Sequence, residues 1–354
     1  MKQPHQQKPR TTAAEEFRRV STMLSGLTAN MSIMLMTERQ IDIMQTAATT
    51  NPPLKNLVNE LRNRLRAING PVDFDGMSQA YEAFAEAAFC FALNHKGVKL
   101  GRTPGTGQHQ QKRPDFVHKH ASGDIYFEVK ALEISDRLSR NPDIATEALE
   151  IAAEVSDRAR TPGVHVSDPL VVSGHRATDS LQERIDETIE RIANTLKPEQ
   201  LRFGPTILVV DLGRLPGIPQ GPSGLLPVFF HDALPSESVV SGELWQIALG
   251  KVGERLFHHP EFDGASNLSG HQTKAGILHQ FPMLFGISFL LPRWSESPEI
   301  LTICNFRPEE RELQTKCTLS EDEIEELLIK YSDGTNDSAN ERGWFYRKIS
   351  LSSD

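Results

Sequence analysis

Residues 114–132 of the chain read PDFVHKHASGDIYFEVKAL, and this stretch decides the fold. Two runs rich in β-branched and aromatic residues, 114–119 and 124–132, are separated by the triplet ASG, which is a hairpin signal. Successive side chains of a strand point to opposite faces. One face of the second run is therefore apolar, whereas the other face carries Glu128 and Lys130. The stretch predicts an antiparallel hairpin with a carboxylate and an ammonium group on one face.

The charged face of this hairpin is unusual, because burying a charge is costly unless it is paired or bound to a metal. Asp115 lies thirteen residues before Glu128, and the hairpin can bring the two carboxylates to one edge of the sheet. Like charges at close range raise a pKa unless a divalent cation takes up the charge. Oxygen ligands without cysteine or clustered histidine favour Mg2+, for which Mn2+ can substitute. The plainer alternative is a surface ion pair of Glu128 and Lys130 on an edge strand.

The elements that flank the hairpin follow a definite order. The run 75–95 has apolar residues at three- and four-residue spacings, which predicts a helix with Glu82 and Glu86 on one face. The continuous apolar run PTILVVDL predicts a strand that is covered on both faces. The predicted order is helix, three strands, helix and strand, at 75–95, 98–100, 114–119, 124–132, 180–196 and 205–212.

Pro114-Asp115 followed by Glu128-Val129-Lys130, after a helix that bears glutamates and before a helix and a strand, resembles the PD-(D/E)XK nucleases. The resemblance implies an α/β fold with a restriction-endonuclease-like core, a central mixed β-sheet flanked by helices in the order αβββαβ. It also implies that Asp115 and Glu128 bind the metal and that the backbone carbonyl of Val129 adds a contact. Lys130 would orient or activate the attacking water.

The same family uses a glutamate of the preceding helix, and two positions compete for that role. Glu86 lies eleven residues before Gly97, which is similar to the spacing in many family members. Glu82 lies four residues earlier on the same helix face and stays a competitor. The resemblance therefore implies Glu86 as the fourth catalytic and metal-binding residue, with Glu82 open.

The resemblance implies phosphodiester hydrolysis, and the leading hypothesis is a DNA endonuclease in a bacterial restriction or anti-phage defence role. An RNA-cutting or repair nuclease of the same fold is an alternative, and a non-catalytic nucleic-acid-binding or scaffold subunit is an alternative of another class. The formal net charge is -9, but residues 95–131 hold seven lysines and arginines against three acids. Phosphate contacts are therefore expected from residues near the site, namely Lys112, Arg113, Lys119, His118 and His120. The two histidines fit a plain strand surface equally well.

The remaining patterns suggest three regions. Residues 1–74 predict an N-terminal helical region whose first ten residues are mobile. Residues 75–215 hold the nuclease core with an insertion at about 133–178, and 216–354 form a C-terminal α/β extension. Within the extension, the patterns predict helices at 241–257 and 320–331 and strands at 284–291 and 300–305. These two strands are candidates to continue the same sheet.

Partners and location follow from composition. Six of the eight methionines fall at or before Met44, and a methionine-rich helical region either fills a core or adapts to a partner subunit or a second copy of the chain. No window has the roughly 18 apolar residues of a membrane helix, and no apolar signal core opens the chain. We therefore expect no membrane association and a cytoplasmic protein. The three cysteines, Cys90, Cys304 and Cys317, lack CxxC spacing, which argues against a zinc knuckle.

Overall fold

The structure is a computed structural model. It describes residues 11–24, 36–70, 73–103, 113–132, 181–213, 227–228, 240–241, 243–253, 255–257, 268–291, 298–304 and 319–333. The helices in these ranges are α1 (Ala13–Met23), α2 (Glu38–Ala47), α3 (Pro52–Ala67), α4 (Phe74–His95), α5 (Leu181–Thr195), α6 (Glu243–Leu249), α7 (Ile277–Gln280) and α8 (Glu321–Tyr331), with a 3-10 helix at Pro198–Arg202. The strands are β1 (Leu100–Arg102), β2 (Phe116–His120), β3 (Gly123–Ala131), β4 (Thr206–Asp211), β5 (Pro227–Val228), β6 (Val240–Ser241), β7 (Arg255–Phe257), β8 (Leu268–His271), β9 (Leu284–Leu291) and β10 (Glu299–Cys304).

The chain divides into two compact units, and a boundary between them lies inside α4, between Ala87 and Ala88. In the first unit, α1 and α2 are preceded by threonine capping boxes, and α3 is capped by Asn51, whose side chain accepts a hydrogen bond from the backbone N–H of Leu54. Such caps satisfy N–H groups that the first turn of a helix leaves unpaired. Met36 and Met44 are buried, which supports core packing for these two side chains. Recruitment of a partner subunit or a second copy through this region stays a prediction.

The second unit is built on a mixed six-stranded sheet in the order β1-β2-β3-β4-β9-β10. β1, β2 and β3 pair antiparallel, β4 and β9 run parallel to β3, and β10 is antiparallel to β9. β4 is buried along its whole length, as expected for a parallel strand that is covered on both faces. The prediction of an α/β protein with a central mixed sheet flanked by helices is confirmed. The strands predicted at 284–291 and 300–305 are β9 and β10 of this sheet.

The two faces of the sheet pack against different helices. On one face, the ring of Phe127 in β3 lies 5.4 Å from the ring of Phe89 in α4 and 5.2 Å from the ring of Tyr331 in α8. On the other face, Leu208 and Val210 of β4 join the buried isoleucines of α5 in one hydrophobic core. The residues paired with Leu208 and Val210 across the β3–β4 ladder are the two charged residues of β3. The charged pair therefore lies on the α5 side of the sheet.

The prediction of one helix over 241–257 is wrong. α6 ends at Leu249, and the chain continues into β7, which pairs antiparallel with β8. Two glycines explain the break: Gly250 follows the helix directly, and Gly253 adopts a φ of 87°, which favours glycine over other residues. The N–H of Gly253 donates to the carbonyl oxygen of Gln272, so the turn is fixed by the strand pair that follows it.

Several other predictions concern residues that the structure describes only in part. None of the described helices is long and apolar enough to cross a membrane. Cys90 and Cys304 are buried, and Cys317 lies outside the described residues. The first ten residues and the insertion predicted at about 133–178 also lie outside them.

A buried ion pair between α5 and α6 predicts a pH-dependent stability. Arg184 pairs with Glu243, yet burial outweighs this attraction and raises the pKa of Glu243 to about 7. A carboxylate whose pKa is raised in the folded state destabilises the fold as pH rises from about 4.5, its ordinary value, through about 7. The free energy of unfolding of Glu243→Gln should therefore rise relative to that of wild type as pH increases from 5 to 8. The expected rise is on the order of 2 kcal/mol, at 1.36 kcal/mol per pKa unit.

Urea unfolding at pH 5, 6, 7 and 8 measures this difference between Glu243→Gln and wild type. Glu190→Gln is the control, because Glu190 lies exposed on α5, the helix that carries Arg184, and its pKa is lowered by Lys274. Glu190 is ionised throughout this pH window, so its substitution should give a pH-independent difference. A pH-independent difference for Glu243→Gln as well would contradict the assignment.

Candidate active site

Asp115 sits at the start of β2 and faces β3. Its carboxylate oxygen Oδ2 accepts a hydrogen bond from the backbone N–H of Val129 at 2.8 Å. Phe116 pairs with Phe127, so the antiparallel register, continued by one residue, sets Asp115 opposite Glu128. The hairpin therefore brings together the two carboxylates that the sequence predicts as metal ligands.

The proline before Asp115 has a defined effect on β3. The register continued by two residues sets Pro114 opposite Val129. Proline has no N–H to donate to the carbonyl oxygen of Val129. The Val129 N–H binds the side chain of Asp115 instead of a ladder partner. A proline and an aspartate at these two positions thus end the β2–β3 ladder beside the carboxylates.

Glu128 is 1% exposed and lies in the middle of the sheet. Its oxygen Oε1 accepts hydrogen bonds from Nζ of Lys130 and from Nε2 of Gln200. Its other oxygen, Oε2, is buried and has no hydrogen-bond partner among the described residues. Burial first, and the charge of Asp115 second, raise the pKa of Glu128 to about 7, against the lowering effect of Lys130 and Gln200. The group holds its proton more tightly than an ordinary glutamate, so a cation that binds it must displace that proton below about pH 7.

Lys130 forms an ion pair with Glu128 and is 23% exposed. The alternative of a surface pair on an edge strand is wrong, because β3 lies between β2 and β4 and Glu128 is buried. Nζ of Lys130 thus pairs with a buried carboxylate, although part of the lysine side chain is exposed to solvent.

Gln200 is the member of this group that the sequence did not indicate. It lies in the 3-10 helix between α5 and β4, is 7% exposed, and donates to Glu128 across 72 residues of chain. Its neighbour Glu199 is exposed, and nothing in the run KPEQLRFG distinguishes the two. The only signal is indirect: Leu196 and Leu201 are buried on either side of the turn, which directs Gln200 inward.

The two helix glutamates differ from each other in exposure. Glu86 is half-buried on α4 and Glu82 is exposed. Phe89, one turn after Glu86, packs on Phe127, whose side chain lies on the face of β3 opposite Glu128. Among the described residues, no three histidine, cysteine, aspartate or glutamate side chains form a group that could hold a metal ion. The role of Glu86 or Glu82 stays a prediction.

The residues of the pair nevertheless fit a divalent cation. Asp115 and Glu128 supply carboxylate oxygens, which hard cations such as Mg2+ prefer. Glu128 Oε2 is a buried oxygen without a hydrogen bond among the described residues, which is costly unless another group binds it. Burial first, and the charge of Asp115 second, raise the pKa of Glu128, and a bound divalent cation would offset both effects.

The two histidines of β2 make contacts within the protein. His118 is half-buried, and its Nδ1 lies 2.6 Å from the hydroxyl oxygen of Tyr331 in α8. Burial first, then His120 and Lys330, lower the pKa of His118. Nδ1 of His120 accepts a hydrogen bond from the N–H of Ser122. His118 therefore packs against α8, which neither alternative for these histidines described, and phosphate contact by His118 or His120 stays a prediction.

The basic residues that were predicted to contact phosphates lie in different parts of the structure. Lys119 is exposed on β2 and pairs with Asp124 across the hairpin. The guanidinium of Arg113 lies over the ring of Phe203 at 5.4 Å from its centroid, and that ring contacts Tyr126 on the charged face of β3. Lys112 lies outside the described residues. Arg113 therefore precedes β2, two residues before Asp115, and Lys119 lies near the other end of β2, at the hairpin tip.

No family model, no curated protein and no solved structure matches this chain. The geometry of the site is therefore what indicates a function. It consists of two carboxylates and a lysine on neighbouring strands of a mixed sheet, with a buried glutamine hydrogen-bonded to one carboxylate.

Proposed function

We propose that the chain is a metal-dependent nuclease of the PD-(D/E)XK type that hydrolyses phosphodiester bonds of DNA with Mg2+, for which Mn2+ can substitute. The observation that carries the proposal is the placement of Asp115 beside Glu128 and Lys130, with Glu128 buried in the sheet. The observed order of α4, three antiparallel strands, α5 and a parallel strand supports the restriction-endonuclease-like fold. A role in bacterial restriction or anti-phage defence rests on the resemblance alone.

Asp115, Glu128 and the backbone carbonyl of Val129 would hold the cation. When bound, a divalent cation polarises the scissile phosphate and lowers the pKa of a bound water. Asp115 is fixed for this role by its hydrogen bond to the N–H of Val129. Glu128 offers Oε2, because Oε1 already accepts hydrogen bonds from Lys130 and Gln200.

Lys130 serves the reaction through its protons and its charge. Its ammonium is paired with the buried carboxylate of Glu128, and the lysine side chain as a whole is partly exposed to solvent. In this position it would orient the attacking water and stabilise the negative charge that develops on the phosphate. Arg113 and Lys119 would contact neighbouring phosphates, which positions the strand without reading its sequence.

Incubation of the purified chain with supercoiled plasmid, linear DNA and RNA tests the proposal. Cleavage of DNA is expected with Mg2+ or Mn2+ and not with EDTA. Cleavage of RNA alone would favour the alternative substrate. Cleavage of no nucleic acid with either metal would contradict the enzyme and favour a binding or scaffold subunit.

Asp115→Asn should raise the Mg2+ concentration needed for half-maximal cleavage by roughly tenfold or more, because the amide keeps the shape and loses the ligand charge. Asp124→Asn is the matched control, since Asp124 lies on the same hairpin and pairs with the exposed Lys119. A Mg2+ titration of the cleavage rate measures both variants. The same shift in both, or in neither, would contradict the assignment of Asp115.

A further inference from the structure

Two buried oxygens of the site have no hydrogen-bond partner among the described residues. One is Oε2 of Glu128 and the other is Oε1 of Gln200. The two side chains are bonded to each other through Gln200 Nε2 and Glu128 Oε1, and both residues are more than nine-tenths buried. One hydrogen-bonded pair of side chains therefore contains two oxygens that are buried from water and accept no hydrogen bond from the described residues.

An unpaired buried oxygen costs free energy, and the cost is recovered when another group binds it. Amide carbonyl and carboxylate oxygens are ligands of hard divalent cations. Nε2 of Gln200 donates to Glu128, so Oε1 is the amide atom that has no hydrogen-bond partner among the described residues. The chemistry of the amide thus suits a cation that Glu128 also binds.

We infer that Gln200, through Oε1, is the third oxygen ligand of the divalent cation held by Asp115 and Glu128, in the role that the resemblance implies for Glu86 or its competitor Glu82. The inference rests on the proposed function for the presence of the cation. It accounts for a site that brings together two acidic side chains rather than three among the described residues.

A neutral third ligand changes the charge of the site. Two carboxylates, the ammonium of Lys130 and a divalent cation leave one net positive charge, which a single phosphodiester group neutralises. A third carboxylate in place of Gln200 would cancel that charge and weaken the attraction for phosphate. Gln200 therefore favours binding of the anionic backbone while still completing the oxygen ligands.

Direct binding of Mn2+ to the full chain without nucleic acid, measured by calorimetry, tests the inference apart from cleavage. Gln200→Leu should weaken Mn2+ binding about tenfold or more, whereas Gln200→Glu should bind Mn2+ at least as tightly as wild type. Gln246→Leu is the matched control. Gln246 is a buried glutamine of α6 whose amide atoms have no hydrogen-bond partner among the described residues, and this variant should bind Mn2+ like wild type.

Gln200→Cys supplies a readout that a purely structural glutamine would not give. A thiolate ligand favours soft cations, so Gln200→Cys should gain affinity for Cd2+ over Mn2+ relative to wild type, and Gln246→Cys should not. Wild-type Mn2+ binding by Gln200→Leu, with weakened binding by Glu86→Gln, would overturn the inference and leave the proposed nuclease intact. A wild-type chain that binds no Mn2+ would overturn the proposed function and this inference with it.

Discussion

Lys130→Met is expected to lower kcat of the proposed DNA cleavage by roughly 10²–10³-fold, the loss typical of removing one group that stabilises developing charge. Methionine keeps much of the length and the apolar stem of lysine, so the substitution removes the charge with little change in packing. The ammonium is held beside Glu128 by their ion pair, in a side chain that is 23% exposed. The effect should appear in kcat rather than in DNA affinity, because one lysine contributes little to binding a polyanion.

The measurement requires saturating Mg2+ and a pH near 8.5. Lys130 lowers the pKa of Glu128, so its loss raises that pKa further and delays cation binding at neutral pH. Lys330→Met is the control, since Lys330 is an exposed lysine of α8 that pairs with Glu326, and the kcat of this variant should stay close to that of wild type. Equal losses in both variants would point to a general charge effect, and full activity of Lys130→Met would remove Lys130 from the mechanism.

The parts of the fold that follow from local pattern were predictable. The two-residue alternation of β3 separates Phe127 from Glu128, and the structure shows Phe127 under the aromatic rings and Glu128 on the opposite face. The ASG turn defines the hairpin, which in turn sets Asp115 beside Val129. The continuous apolar run of β4 indicates burial on both faces before any partner strand is known.

The parts that depend on tertiary contacts were not predictable. Gln200 is indistinguishable from Glu199 in sequence, and only the packing of Leu201 beneath the turn directs it towards Glu128. The helix predicted over 241–257 ends early because Gly250 and the turn at Gly253 belong to a strand pair formed with residues farther along the chain. Side-chain placement in turns and strand partners chosen over distance leave little trace in local periodicity.

Phe127→Ala is expected to destabilise the chain by roughly 3–5 kcal/mol, the usual cost of replacing a buried phenylalanine by alanine. Phe127 is fully buried and pairs with Phe116 in the next strand. Its ring meets Phe89 at 5.4 Å in a tilted geometry and Tyr331 at 5.2 Å edge to face. One ring thus joins α4, α8 and two strands, so its loss leaves a cavity that no single element can close.

Urea unfolding in EDTA, at a pH where wild type unfolds in one transition, measures the loss for Phe127→Ala independently of any cation. Val252→Ala is the control, because Val252 is 65% exposed and its truncation should change stability by no more than about 0.5 kcal/mol. Phe127→Leu should fall between wild type and alanine, since leucine fills part of the cavity. A loss below about 1 kcal/mol for Phe127→Ala would mean that α4 and α8 do not depend on this face of β3. A large loss would show that the strand which carries the charged residues is anchored from its opposite, apolar face.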